Sequence, residues 1–407
     1  MTTQESSPIK FAFGKGGLLP QEEMLEVIKS NKKLVIGIPK EAEKIETRVC
    51  LTPEAVELLV NYGHEVIIES NAGKVANYSN HDYSERGGII LEDKKSVYHA
   101  DVVLKVSTPS SEEIDLLKGQ QVLISSLLSI HQTEECVRKL MAKKITAVAA
   151  ENYKDDNDCY PVVRSMSAIS GTASILIASE YLSTGMGGKG VLLGGIAGIT
   201  PAEVVIIGAS TAAEFAIRAA YGLGAFVKVF DNSVHSLVQL QISLGFKIYT
   251  SVFHPQVLGK ALKSADVVIG ARQTMEKGPR FYITEEMVKG MKKGSVIVDI
   301  SIPHGGCIET SEYRTLQDPV FTKYGVVHYS IPNLPSHVAR TSSIALSNVF
   351  LPLLLNISDA GGFIQQLKRD PGLRHGVYMF NGILTNQFIG SHFGIPSKDI
   401  ELLMAAF

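Results

Sequence analysis

The sequence predicts an α/β protein made of two doubly wound parallel sheets with a cleft between them. Three observations predict it. The chain has 407 residues, 45% of them hydrophobic, which is enough length and apolar content for two cores. Short apolar runs alternate with amphipathic stretches almost throughout, the pattern of parallel strands joined by crossover helices. The stretch Ala202–Asp231 reads as a complete βαβ unit. Its first apolar run, Val204-Val205-Ile206-Ile207, stops at Gly208; Ala209-Ser210-Thr211-Ala212-Ala213 opens a small-residue helix; and Ala225–Phe230 ends at Asp231, 23 residues after Gly208.

The elements follow in order. Lys33–Ile38 predicts a strand, Pro53–Tyr62 a helix and His64–Glu69 a strand. Ala100–Val106 predicts a strand, Glu112–Lys118 a helix, Gln121–Ser126 a strand, Glu134–Lys143 a helix and Ile145–Glu151 the final strand of the first half. A long helix, Ser165–Tyr181, leads into the second half. After Asp231 come helix Ser233–Leu244, strands Lys247–Ser251 and Ala265–Ala271, helix Thr284–Met291 and strand Ser295–Ser301. The segment from about Arg340 reads as helical and too short for a domain of its own, so it is expected to pack back on the first. The expected division is residues 1–162 plus 340–407 as a discontinuous substrate domain and 163–339 as a Rossmann-like dinucleotide-binding domain. A site is then expected in the cleft, outside the carboxyl ends of the strands.

The βαβ unit names a cofactor class. Gly208 permits the tight turn, the helix N-terminus at Ser210, Thr211 and Ala212 faces a pyrophosphate, and Asp231 accepts from ribose hydroxyls. The second and third glycines of the usual fingerprint are replaced by Ser210 and Ala213. Alanine suffices for close helix packing, and the Ser210 hydroxyl is expected to donate to the phosphate. Asp231, followed by Asn232, Ser233 and Val234 with no arginine, favours NAD over NADP.

Composition excludes several classes. A net charge of −2 gives no reason to expect a nucleic-acid or membrane-surface partner. Cys50, Cys136, Cys159 and Cys307 are scattered without a CxxC pair, so they read as reduced thiols rather than a metal site or disulfide framework, and the expected compartment is the cytoplasm. Residues 1–32, with Gly14-Lys15-Gly16-Gly17, lack an apolar signal-peptide core and read as a surface extension. Ser165–Leu182 and Ser342–Ile357 are apolar but interrupted by Glu180 and by Asn348 and Pro352, so both read as buried helices, not membrane spans.

From about Leu34 onward a collinear set of motifs resembles the family of alanine dehydrogenase and the nucleotide-binding subunit of nicotinamide nucleotide transhydrogenase. The motifs are Gly37-Ile38-Pro39-Lys40-Glu41, Arg48-Val49, Leu51-Thr52-Pro53, Leu104-Lys105-Val106, Met166-Ser167, Gly194-Gly195-Ile196-Ala197-Gly198, Val298-Asp299-Ile300, Gly305-Gly306-Cys307, Asn333-Leu334-Pro335 and Thr341-Ser342. The local motifs lean to alanine dehydrogenase. The resemblance implies reversible oxidative deamination of L-alanine to pyruvate and ammonia with NAD, in a homo-oligomer, a hexamer by family. It implies that Arg48 holds the substrate carboxylate and Lys105 polarises its oxygen, that Asn333 lies on the substrate side, and that Ser167, Gly270, Ala271 and Ile300 join the cofactor contacts. The chemistry agrees: a guanidinium offers a carboxylate a planar two-point grip, and a lysine is readily tuned by burial.

The chain departs from the family most at two catalytic positions, and less in the polar loop Arg272–Glu276 and at Ala168, where a glutamate is usual. The catalytic histidine is expected at Leu128, or at its neighbour Leu127, and the aspartate at Pro303. Neither side chain can carry a proton. His304, directly after Pro303, is the first candidate for a relocated acid/base, and His131 the second. Two rivals to the alanine reading follow: a dehydrogenase or reductase of another amino or keto acid, and a catalytically impaired NAD(H)-binding regulatory protein.

Overall fold

A computed structural model describes residues 32–127, 132–272 and 282–405. The reading of the N-terminal extension lies outside these residues, apart from Lys32. The strands are β1 (Val35–Ile38), β2 (Glu65–Glu69), β3 (Ile89–Leu91), β4 (Val102–Leu104), β5 (Val122–Ser125), β6 (Thr146–Ala149), β7 (Glu203–Ile207), β8 (Phe226–Phe230), β9 (Tyr249–Ser251), β10 (Val267–Gly270), β11 (Val296–Asp299), β12 (Val320–Lys323), β13 (Val326–Tyr329), β14 (Val377–Phe380) and β15 (Ile383–Leu384).

They form two sheets, ordered β15-β14-β6-β5-β4-β1-β2-β3 and β12-β13-β11-β10-β7-β8-β9. Strands β1 to β6 pair in parallel, and β14 and β15 extend that sheet antiparallel. The second sheet is parallel except for its edge strand β12. In each sheet the order reverses once, between β1 and β4 and between β7 and β10. Those are the points where an open α/β sheet leaves a crevice for a ligand.

The apolar runs are continuous because both faces of each sheet are covered. Val204 and Ile206 enter one core of the second sheet, Val205 and Ile207 the other. Val102 and Leu104 face one core of the first sheet, Val103 the other.

Two long helices carry the chain between the sheets. Pro161–Leu182 starts with proline at its first position, where the missing N–H costs nothing, which places its start four residues before the expected Ser165. Its early residues Val162 and Met166 pack on the first sheet's core, and Ala173, Ile175, Ile177 and Ala178 enter the second. Ala339–Asp359 returns, burying Leu346, Phe350, Leu353, Leu354 and Ile357 in the first core. Both helices are long and apolar enough to cross a membrane by length and composition, yet each contributes a row of buried side chains to these cores.

The sequence reading misses several elements. Beyond Arg340 the chain is not wholly helical, and β6 is not the last strand of its sheet: β14 and β15 form a hairpin that docks on it. The turn is Asn381-Gly382, both at positive φ (+46° and +78°), the pairing that a tight two-residue hairpin demands. Edge strands β3 and β12, the inner strand β13 and helix Pro255–Ser264 are also unforeseen.

The closest backbone approach that orients the site is at Gly171. A Cβ there would stand 2.1 Å from the Ala212 carbonyl oxygen and 2.9 Å from Ala216 N, so the long helix lies directly on helix Thr211–Gly222, which opens the second sheet's crevice. Gly171→Val must push backbone from backbone. We expect it to cost about 3 kcal/mol or more, at or above the usual range for overpacking, and to weaken dinucleotide binding; thermal unfolding and NADH titration read both.

Candidate active site

At the first crevice, β1 leads into Pro39-Lys40-Glu41 and Lys105 directly follows β4. Lys105 is 2% exposed. Its ammonium pairs with the Glu41 carboxylate, and Glu113 Oε2 stands 3.6 Å away. Glu41 is held in turn by the backbone N–H of Val106 (2.6 Å) and of Ser107 (3.3 Å), donated to Oε1. Burial alone would push the Lys105 ammonium down, but Glu41 and Glu113 outweigh it and hold its pKa above the usual lysine value. Lys105 therefore stays a cation and a donor, not a base, at neutral pH.

Arg48 lies in the same cluster. Its Nε donates to Glu46 Oε1 and its Nη2 to Glu46 Oε2, both at 2.7 Å, the two-point geometry of an arginine–carboxylate pair. Its Nη1 meets Met166 Sδ at 3.1 Å. The buried Cys50 thiol, pushed well above its ordinary pKa by burial, senses the charges of Glu41, Lys105, Glu46 and Arg48 together. The structure thus brings Arg48 and Lys105 to one place. The two-point grip expected to face a substrate is occupied, however, by a carboxylate of the chain itself.

Asn333 joins the same cluster. Its Nδ2 donates to Glu46 Oε2 at 2.7 Å, and Ser336 Oγ donates to Glu46 Oε1 at 2.8 Å. Thr47 Oγ1 donates to the Ser336 carbonyl at 2.6 Å. The segment that follows β13 in the second sheet is thereby tied to the loop that follows β1 in the first. Ser167 lies beside Met166 on the long helix.

At the second crevice, Gly208 ends β7 with φ +107°, and a Cβ there would meet the Ala271 carbonyl oxygen and Arg272 Cα, both at 2.8 Å. Thr211 and Ala212 form the first turn of helix Thr211–Gly222. The Ser210 hydroxyl does not face a phosphate. It donates to the Ala271 carbonyl at 2.6 Å and accepts from Ala213 N at 3.3 Å, so it caps the helix and clips the β7 turn to the β10 turn. Asp231 accepts from Ala209 N (2.9 Å, Oδ2) and Ser233 N (2.8 Å, Oδ1), which pins it at the end of β8 beside the phosphate turn. Each oxygen keeps a lone pair for a ribose hydroxyl. Gly270 and Ala271 lie at the end of β10, and Ile300 N donates to the Gly270 carbonyl at 2.8 Å. A bare backbone turn, a helix N-terminus and a fixed carboxylate in this order fit a dinucleotide.

The loop after β11 is shaped by Asp299, 1% exposed, whose Oδ1 accepts from the Ser301 N–H at 3.0 Å. Pro303 and the backbone of His304 lie in the short 3-10 turn Ile302–His304. The His304 side chain, Leu128 and His131 lie outside the described residues. Leu127, the neighbour considered for the missing histidine, donates its N–H to Glu151 Oε1 at 2.9 Å.

The sequence reading overlooks Glu46, Ser336 and Glu151. An acid two residues before a buried arginine was the available signal for Glu46.

The family models agree with the two-sheet plan: the alanine dehydrogenase/PNT N-terminal domain matches residues 37–170 and the C-terminal domain residues 174–387. The chain belongs to the alanine dehydrogenase/PNT family. An alanine dehydrogenase of Methanococcus maripaludis is 38% identical over 371 residues, covering 90% of this chain and 99% of that relative. One of Staphylococcus saprophyticus is 36% identical over 369 residues, with the same coverage. Among solved structures, an L-alanine dehydrogenase matches with a TM-score of 0.81 and 32% identity, covering 89% of this chain and 99% of its own. A transhydrogenase of Sinorhizobium meliloti, at 24% identity and a TM-score of 0.71, shares the fold over 86% of this chain and 98% of its own.

Glu151 generates a pH prediction. Burial raises its carboxyl to about 7, and its Oε2 has no hydrogen-bond partner among the described residues. A carboxyl raised on folding contributes stability that is present below about pH 4.5 and lost as pH rises through about 7. Glu151→Gln should therefore leave the melting temperature unchanged near pH 4.5 and raise it by a few degrees relative to wild type at pH 8. Parallel melting curves at both pH values would show the idea wrong by their superposition.

Proposed function

We propose that this protein is an NAD-dependent alanine dehydrogenase, interconverting L-alanine with pyruvate and ammonia. The observation that carries the reading is full-length kinship: curated alanine dehydrogenases match over 99% of their own length, and the stretch they share includes both crevices and the Arg48–Lys105 cluster. In this reading Arg48 receives the substrate carboxylate, and Lys105, held cationic by Glu41 and Glu113, donates to the keto oxygen and favours its polarised form. Gly208, Thr211, Ala212, Gly270, Ala271 and Ile300 line the dinucleotide site; Ser210 contributes its backbone and its cap; Asp231 takes the ribose hydroxyls and disfavours a 2′-phosphate. Ser167 completes this side from the long helix. When bound, NAD supplies the oxidising power for the substrate Cα–H bond. The chain's own part is to hold that bond in position, and contacts between the two sheets supply much of the effect.

His304 is the proposed acid/base, because its backbone stands on the loop at the carboxyl end of β11, beside Gly270. The protein is also proposed to act as a cytoplasmic homo-oligomer. Its cysteines are free, and Leu192, Ile196 and Ile199 stand exposed on a loop packed against Leu223–Gly224, an apolar patch of the kind that subunits cover.

The testing experiment is NADH formation from a panel of L-amino acids, with NAD and NADP in parallel, and its reverse with pyruvate and ammonium. Alanine with NAD should be the best pair, at a rate reduced by up to about 10²–10⁴-fold if no group replaces the missing histidine and aspartate. Preference for another amino acid, or for NADP, overturns the assignment. NADH binding without turnover of any substrate favours the regulatory reading.

His304→Ala should lower kcat at least tenfold, on the order of a lost general acid, while NADH affinity changes little. Unchanged kcat removes His304 from the chemistry.

A further inference from the structure

Glu46 is 3% exposed, and its carboxylate accepts six hydrogen bonds from four residues. Oε1 takes the N–H of Thr47 (3.1 Å), the N–H and Nε of Arg48 (3.0 and 2.7 Å) and Ser336 Oγ (2.8 Å). Oε2 takes Arg48 Nη2 and Asn333 Nδ2, both at 2.7 Å. Burial would raise this carboxyl, but Arg48 and the other donors hold its pKa below the usual carboxylate range. A carboxylate so fully engaged has no lone pair left for a proton in turnover or for a ligand. It is an anchor.

The anchor leaves a defined part of Arg48 free. A guanidinium has five N–H donors in one plane. Glu46 engages the side-on pair, one on Nε and one on Nη2, and Met166 Sδ, a weak acceptor, meets Nη1. The remaining donors are one N–H on each terminal nitrogen, the end-on pair, and that pair still offers a carboxylate two parallel hydrogen bonds. The orientation of that pair is not set by Arg48's own flexible stem. It is set by Glu46, and Glu46 is set by Asn333 and Ser336 of the segment leaving the second sheet.

We propose that Glu46 is a positioning residue that presents the end-on edge of Arg48 to the substrate carboxylate and couples that presentation to the Asn333–Ser336 segment, so that carboxylate binding depends on how the two sheets sit together. This rests on the reading of Arg48 as the carboxylate ligand of an amino-acid dehydrogenase. Asn333 then acts through Glu46 and not by touching the substrate.

The test is steady-state kinetics of pyruvate reduction with saturating NADH and ammonium. Glu46→Gln replaces one acceptor oxygen with an NH2 that faces Arg48 Nη2 or Asn333 Nδ2. It should raise the KM for pyruvate on the order of tenfold or more, with NADH affinity within about twofold of wild type. In an Arg48→Lys background the same change should add nothing to KM, because the edge it positions is gone. Asn333→Ala, which spares the Glu46–Arg48 pair, should raise KM by a smaller factor and serves alone if Glu46→Gln does not fold. An unchanged pyruvate KM in folded Glu46→Gln, or in Asn333→Ala where that variant serves alone, overturns the proposal. So does an equal KM rise in the Arg48→Lys background. If wild type turns over no pyruvate, the functional reading fails by itself; calorimetric binding of pyruvate to the NADH-loaded wild type and Glu46→Gln proteins then decides the positioning role. Tenfold weaker binding supports it, and equal binding overturns it.

Discussion

Burial of both faces of each sheet is the constraint on which the rest depends. A strand covered on both sides, such as β10 or β7 after its first residue Glu203, is apolar and buried along its length. Polar chemistry is therefore pushed to the strand ends. At the carboxyl ends the order reversals between β1 and β4 and between β7 and β10 open crevices, and there the chain places Glu41 and Lys105 in one sheet and Gly208, Asp231 and Gly270 in the other. Near these crevices side chains tie the two sheets together, Glu46 accepting from Asn333 and Ser336.

Charges collected at strand ends are also buried, and a buried charge must be paired. Arg48 with Glu46 and Lys105 with Glu41 satisfy this at both cations. Removing one partner of such a pair typically costs about 3–5 kcal/mol, because the survivor is left uncompensated in low dielectric. The anions are thus as much a part of the site as the cations. They keep Lys105 protonated and Arg48 aimed before any substrate arrives, so little reorganisation is left for the moment of binding.

This pairing explains what was legible in the sequence. The two-sheet plan could be read, because doubly buried strands write themselves as apolar runs such as Val204–Ile207. The cations could be read, because they stand in motifs. The anchoring of Glu46 could not: its place two residues before Arg48 is a local hint, but the donors that make it an anchor, Ser336 and Asn333, lie nearly 290 residues on. The bond of the Ser210 hydroxyl was out of reach for the same reason. That hydroxyl is committed to Ala271, across the sheet's order reversal, which no one-dimensional pattern displays. The Asn381-Gly382 hairpin, by contrast, carried a clear local signal that the helical reading of the C-terminal segment passed over.

The loop after β11 separates shape from chemistry. Its shape rests on parts this chain retains. Asp299 accepts from Ser301, Gly305 and Gly306 adopt positive φ (+94° and +74°), and a Cβ on Gly306 would press on Asp299 Oδ2 at 3.1 Å. Tyr313 Oη donates to the Ile302 carbonyl at 2.8 Å and braces the turn from outside. None of these contacts uses the side chain at 303. Proline, with its fixed φ and no N–H to place, suits the short turn Ile302–His304. Proline at 303 therefore leaves the scaffold intact while offering no titratable group there. The loop keeps its shape whatever the side chain at 303 could bring to chemistry, beside a dinucleotide crevice whose turn, helix N-terminus and carboxylate are all built.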